Sequence, residues 1–228
     1  MIINHACYEN NWARPEDING AKTFILGSFN PHNPLQGDTD YYYGRPLNYF
    51  WKVVASLLGE NDNFFTDNIQ RKLTVMDDYK FCFLDVISSI EITSPDNNEV
   101  NVQQFANDHI FTNFFDSKLF TTNHNHEGVV LNRTYNQYVI DTINNLNIER
   151  AIHTMGNTRI SPNFITSPLE NGLGHLGFQG YINSILNLDV EFIPTSFSPS
   201  AYAVRRGGEQ QLLNLKNWIS QNLGINQL

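Results

Sequence analysis

The chain has 228 residues, 41% hydrophobic and 16% charged, which is enough to bury one substantial core and is unlike a disordered chain. Its formal net charge of −9 excludes a uniformly basic nucleic-acid binder, and two cysteines, Cys7 and Cys82, exclude a disulfide framework. No apolar run approaches the length of a membrane span, and the opening MIINHACYENNW lacks the basic-then-apolar pattern of a secretory signal, so a cytoplasmic location away from membranes is expected.

In chain order, the apolar run within Thr23–Ser28 predicts a buried strand, ended by Gly27 and Ser28. Apolar residues at 47, 50, 51, 54, 57 and 58 predict a helix over Leu47–Leu58, capped by Gly59. A second helix is expected over Phe65–Met76 and a strand over Lys80–Ile87, with Cys82 as a buried thiol. Val102–Phe115 reads as helical, residues 117 to 133 as irregular, and Tyr135–Leu146 as a helix. Ala151–Met155 and Val190–Pro194 read as strands, and Glu209–Leu223 as a C-terminal helix. Alternation of this kind implies an α/β protein, a three-layer α/β/α sandwich around a central, mostly parallel four-stranded sheet. With no repeat, linker or low-complexity tract, residues 1 to 228 read as one domain.

The most informative stretch is FILGSFNPHNPLQGDTDYYYGRPLNYFWK, from Phe24 to Lys52. A strand end that opens into a polar, aromatic loop and then a helix is where open α/β sheets put their binding crevice. Three consecutive tyrosines cannot all be buried on one face, which leaves ring surface for a ligand. Acidic charge avoids this region. Residues 53 to 128 hold 12 acidic and four basic residues, whereas residues 21 to 52 sum to +1 and residues 194 to 228 to +2.

GSFNP, YYYG and RPLNYFWK together resemble the first motif of the uracil-DNA glycosylase superfamily, most nearly its mismatch-specific and hypoxanthine-DNA branches. Phe83–Ser89 with Ser94-Pro95-Asp96 is similar to that family's second strand and loop. Ile193–Ala201 is similar to its Pro-Ser-rich loop that enters DNA. The matches fall in the family's order and span roughly residues 22 to 206. The resemblance implies metal-free, cofactor-free hydrolysis of the N-glycosidic bond of a damaged or mismatched base, uracil or hypoxanthine in class, at a nucleotide flipped out of DNA.

It also implies roles for individual residues. Asn30 matches the water-orienting amide of the mismatch-specific branch, although two residues, Ser28 and Phe29, separate it from Gly27 where that branch has one. Asn48 matches the Asn of the helix start and is the alternative amide. Each also has a structural reading, Asn30 as a turn former and Asn48 as a helix cap. Asp85, ending the second strand, could assist water or accept from a base N–H. Tyr43 matches the ring that stacks on the extruded base, and the backbone N–H groups of Ser28 and Phe29 suit a base carbonyl. Asn157 matches a crevice position. Arg45, Ser196, Ser198, Pro199, Ser200, Arg205 and Arg206 would hold the DNA strand, with Phe197 or Tyr202 as a wedge; Arg45 could instead simply pair with Asp38 or Asp40. His124 and His126 have metal-like spacing, but no partner Cys or carboxylate cluster is evident, and no metal is expected. Two rival readings stay open: a binding module for nucleic acid or protein that keeps this fold without catalysis, and an enzyme acting on free nucleosides.

Overall fold

A computed structural model describes residues 1–33, 37–112, 119, 123–154, 185, 187–193 and 197–226. The strands are β1 (Ile2–Asn4), β2 (Thr23–Gly27), β3 (Phe81–Asp85), β4 (Ile87–Thr93), β5 (Asn123–His124), β6 (Val129–Tyr135), β7 (Arg150–His153) and β8 (Glu191–Phe192). The α-helices are α1 (Ala6–Glu9), α2 (Phe50–Leu57), α3 (Ile69–Tyr79), α4 (Glu99–Phe105), α5 (Gln137–Leu146) and α6 (Ala201–Leu223). The protein is a mixed α/β fold in which a four-stranded parallel sheet, ordered β3-β2-β7-β8, is flanked by helices. Among the described residues no helix is long and apolar enough to cross a membrane.

Burial explains the parallel sheet. Phe24, Ile25, Leu26, Phe81, Cys82, Phe83, Ala151 and Ile152 are almost wholly buried. Strands covered on both faces read as continuous apolar runs rather than alternating ones, which is how β2 and β3 appear in the sequence. In this strand order the chain turns one way from β2 to β3 and the other way to β7. The carboxyl ends of β2 and β7 therefore form the crevice of an open α/β sheet.

A second sheet, ordered β1-β4-β6-β5 and antiparallel throughout, corrects the reading of residues 117 to 133 as irregular. β6 alternates in burial along VVLNRTY, with Val129, Leu131, Arg133 and Tyr135 inward. The buried Arg133 occupies a core position and hides the alternation from a hydropathy reading. β3 runs into β4 with Val86 alone between them, and the register shifts between Ile87 and Ser89. One continuous segment thus leaves the parallel sheet and enters the antiparallel one. Its junction is held by Val86 N–H to the Gly27 carbonyl (3.0 Å), Ile87 N–H to the Ser28 carbonyl (3.1 Å) and Asn136 N–H to the Val86 carbonyl (2.8 Å).

Several helices differ from expectation: α3 runs Ile69–Tyr79 rather than Phe65–Met76, and α4 starts at Glu99 rather than Val102 and runs on into a π-helix, Ala106–Thr112. α2 starts at Phe50 rather than Leu47, because Asn48 and Tyr49 are committed to other bonds described below. The C-terminal helix begins eight residues before Glu209, at Ala201, and is interrupted by Gly208 at φ 60°, ψ −152°. Only glycine enters that region readily, so α6 is two helical pieces meeting at the break. The C-terminal piece is the amphipathic segment legible in the sequence, burying Leu215, Trp218 and Ile219.

The tyrosine loop packs on the sheet through Phe83. Tyr42 stacks on Phe83 (centroids 5.6 Å, 24°), Tyr41 meets Tyr42 edge-on at 5.1 Å, and the Tyr41 hydroxyl donates to the Ala13 carbonyl (2.9 Å). Trp51 Nε1–H donates to the Tyr42 carbonyl at 2.7 Å. Below the loop, Lys72 is buried and pairs with Asp40. Tyr43 leaves this packed pair by a left-handed backbone turn, φ 57°, so two of the three tyrosines are core and the third is half-buried at the crevice.

Candidate active site

Gly27 is the last residue of β2, and no side chain fits there. A Cβ on Gly27 would sit 2.1 Å from Asp85 Oδ1 and 2.8 Å from Tyr43 Oη. The bare backbone lets a carboxylate from the neighbouring strand and a ring from the loop converge over one strand end. Tyr43 is fixed there on two sides. Its ring stacks on Phe50 (5.1 Å, 27°), and its hydroxyl lies 2.7 Å from Thr154 Oγ1. Thr154 directly follows β7, so the tyrosine ties together the two strand ends that frame the crevice.

Asp85, 2% exposed, is the hub beneath this arrangement. Its Oδ2 accepts from Asn30 Nδ2–H at 2.8 Å and from His5 Nε2–H at 2.8 Å. The Asn30 amide therefore has its NH2 turned inward, and its carbonyl oxygen points the other way, from a half-buried residue. The peptide carbonyl of Asp85 is held as well, by Asn136 Nδ2–H at 3.1 Å.

His5 is absent from any reading of the sequence, since its partner is 80 residues away and it lies in no motif. Its ring sits in an aromatic box, 5.5 Å from Phe29, 5.8 Å from Tyr42, 6.0 Å from Trp12 and 6.1 Å from Tyr8. Burial works against charge on the imidazole, whereas the bond to Asp85 and the Cys7 side chain favour it. The helix cap pulls the other way. Cys7 N–H donates to Nδ1 at 3.0 Å, and a nitrogen that accepts a hydrogen bond carries no proton. From these two bonds we assign the neutral tautomer with its proton on Nε2; a second proton enters only if the cap of α1 opens.

Arg45 is half-buried rather than splayed into solvent. Burial lowers its pKa, and the charges of Asp38 and Asp85 pull it partly back. Asp40, the other expected partner, is taken by Lys72. Asp38 is held by Asn33 N–H (2.8 Å), His32 Nδ1 (2.7 Å) and Asn10 Nδ2–H (2.5 Å).

Asn48 makes different contacts from Asn30. Its side-chain oxygen accepts Phe50 N–H at 2.9 Å at the start of α2, and its backbone forms an antiparallel bridge with Ser200. Tyr49 N–H donates to the Pro199 carbonyl at 2.7 Å, beside that bridge. The first-motif helix and the Ser-Pro loop, about 150 residues apart in sequence, are thus joined main chain to main chain. Ser198 Oγ bonds Ser200 Oγ at 3.1 Å, Ser200 Oγ caps α6 through Ala203 N–H at 3.3 Å, and Pro199 is buried. Phe197 packs on the core, whereas Tyr202 is 66% exposed and Leu47 61%, with Arg205 and Arg206 exposed beyond them on α6. Asn157 and Ser196 lie outside the described residues. Among the described residues no group of three or more His, Cys, Asp or Glu side chains is arranged to hold a metal ion.

Sequence comparison finds no family model and no curated protein that matches this chain. Among solved structures the chain is similar to a solution NMR structure from Methanosarcina acetivorans that carries the provisional name uracil DNA glycosylase. The identity is 13% and the TM-score 0.46, over 87% of this chain and 88% of that one. A likeness at that distance says nothing of activity.

Proposed function

We propose that this chain is a DNA glycosylase of the uracil-DNA glycosylase superfamily, removing a damaged or mismatched base of the uracil or hypoxanthine class in base-excision repair. The observation that carries this reading is the Asn30 amide, locked by Asp85 with its oxygen turned outward, beside Tyr43 at the carboxyl ends of β2 and β7. Hydrolysis of a glycosidic bond builds positive charge on the sugar and negative charge on the departing base. Asn30 Oδ1 accepts from and aims the attacking water. The Asp85 carboxylate beneath it favours the developing positive charge, and the backbone N–H groups of Ser28 and Phe29 receive the base carbonyl. Tyr43 offers its remaining ring surface to the flipped base.

DNA is held at the rim in this reading. The Ser198–Ser200 loop and the exposed Arg205 and Arg206 meet phosphates, and Tyr202 with Leu47 is the apolar wedge left against the stack. Arg45, half-buried and within the field of Asp38 and Asp85, is assigned to the crevice rather than to the phosphate path in this reading. Ser196 and Asn157 are assigned to DNA and to the base by the resemblance alone. Asn48 supports the helix start that carries Phe50 under Tyr43.

The test is base excision by the purified protein on single- and double-stranded oligonucleotides carrying uracil, hypoxanthine, xanthine or mismatched thymine. Release of a base from at least one is expected. Tyr43→Ala should weaken affinity for that oligonucleotide about tenfold, since base–aromatic stacking is worth roughly 1–3 kcal/mol. A folded wild-type protein that releases no base from any substrate would sink the enzymatic reading. Salt-dependent DNA affinity would then identify a non-catalytic binding module.

A further inference from the structure

We propose that His5 is a positioning residue of this site, and that the N-terminal corner formed by β1 and α1 is part of the catalytic apparatus rather than an ornament of the second sheet. The inference rests on the glycosylase reading for its kinetic consequence, but its structural core stands apart from that reading.

The corner grips Asn30 twice. Along the main chain, His5 forms an antiparallel bridge with Pro31, Ala6 N–H donates to the Asn30 carbonyl at 2.8 Å, and His32 N–H donates to the Asn4 carbonyl at 2.9 Å. Through the side chains, His5 Nε2–H and Asn30 Nδ2–H share a single oxygen of Asp85. A carboxylate with one donor can turn about its own bond; with two donors converging on Oδ2 from separate segments of the chain, it cannot turn without losing one. The Asn30 amide is oriented only as firmly as that carboxylate. If Asp85 rotates, the amide is released to flip and to present NH2 where the water needs an acceptor. His5 is 1% exposed and walled by four aromatic rings, so it does not reach substrate and acts wholly through Asp85. In that dry box its hydrogen bond to a charged acceptor is strong, and its loss leaves the acceptor without a water to replace it.

Two substitutions separate this role from the capping role of the same side chain. His5→Asn retains an acceptor for Cys7 N–H, as Asn does at helix N-termini generally, but is too short to reach Asp85. His5→Gln reaches Asp85 with its NH2 and gives up the cap. Single-turnover excision should fall roughly 10- to 100-fold in His5→Asn, with DNA affinity within about twofold, and should stay within about fivefold of wild type in His5→Gln. Equal losses in both variants, or an undiminished rate in His5→Asn, would overturn the proposal. Side-chain amide exchange of Asn30, followed by NMR in the free protein, reads the same relay without any substrate. Protection should be lost in His5→Asn and kept in His5→Gln, and unchanged protection in His5→Asn overturns the relay. If wild type excises nothing, the glycosylase reading fails while the amide measurement still decides the role of His5.

Discussion

Asn30→Ala is expected to slow base release about 10³-fold, whereas Asn48→Ala stays within about fivefold of wild type, both read in single-turnover excision assays. The asymmetry follows from where each amide spends its hydrogen bonds. Asn30 gives its NH2 to a buried carboxylate and faces the crevice with its oxygen. Asn48 gives its oxygen to Phe50 N–H at the first turn of α2. Truncating Asn48 removes a bond of the helix start, worth about 1 kcal/mol, and appears as a small fall in melting temperature rather than in rate. Truncating Asn30 leaves Asp85 its bond to His5, so the fold survives, but nothing remains to aim a water. Comparable losses in both variants, or the larger loss in Asn48→Ala, would move the water-positioning role to Asn48.

Gly27→Ala is expected to be nearly as damaging to activity and worse for stability. Its new methyl lands on Asp85 Oδ1 and Tyr43 Oη. Neither end is free to retreat, because Asp85 is pinned by His5 and Asn30, and Tyr43 by Thr154 and Phe50. Overpacking at such a place costs about 1–3 kcal/mol, and displacing reacting groups by about 1 Å costs on the order of 100-fold in rate. A thermal melt and an excision assay on the same sample check both halves. A variant with wild-type melting temperature and rate would show that the strand end has slack that the geometry denies.

Much of the parallel sheet is legible from the sequence, because strands buried on both faces announce themselves as apolar runs. The antiparallel sheet is not. β4 follows β3 with no turn residue to separate them, β1 is three residues long, and β6 places Arg133 where a hydrophobic residue would mark the period. The expected site residues Gly27, Ser28, Asn30, Tyr43 and Asp85 fall around one crevice, since a strand end followed by a polar loop is a local signal that needs no partner to be read. The choice between Asn30 and Asn48 was not local. It depends on what each amide touches, and the contact that distinguishes Asn30 comes from another strand. His5 is the extreme case: a lone histidine near the start of the chain carries no pattern, and only the closure of β1 against β4 brings it under Asp85. Thr154, at the end of β7, is unmarked in the same way.

The single residue between β3 and β4 bears on how this site moves. Loops at a sheet rim open and close well below the free energy of global unfolding, and many enzymes gate their chemistry that way. Asp85 has no such freedom: it belongs to a segment shared by two sheets, and releasing it means unzipping both. The backbone that carries the carboxylate is therefore anchored in both sheets. If the glycosylase reading holds, whatever adjustment a substrate demands would fall to the substrate and to the outer rim around Tyr202 and Leu47, and the rate would be set by how readily a base can be brought to an unyielding centre.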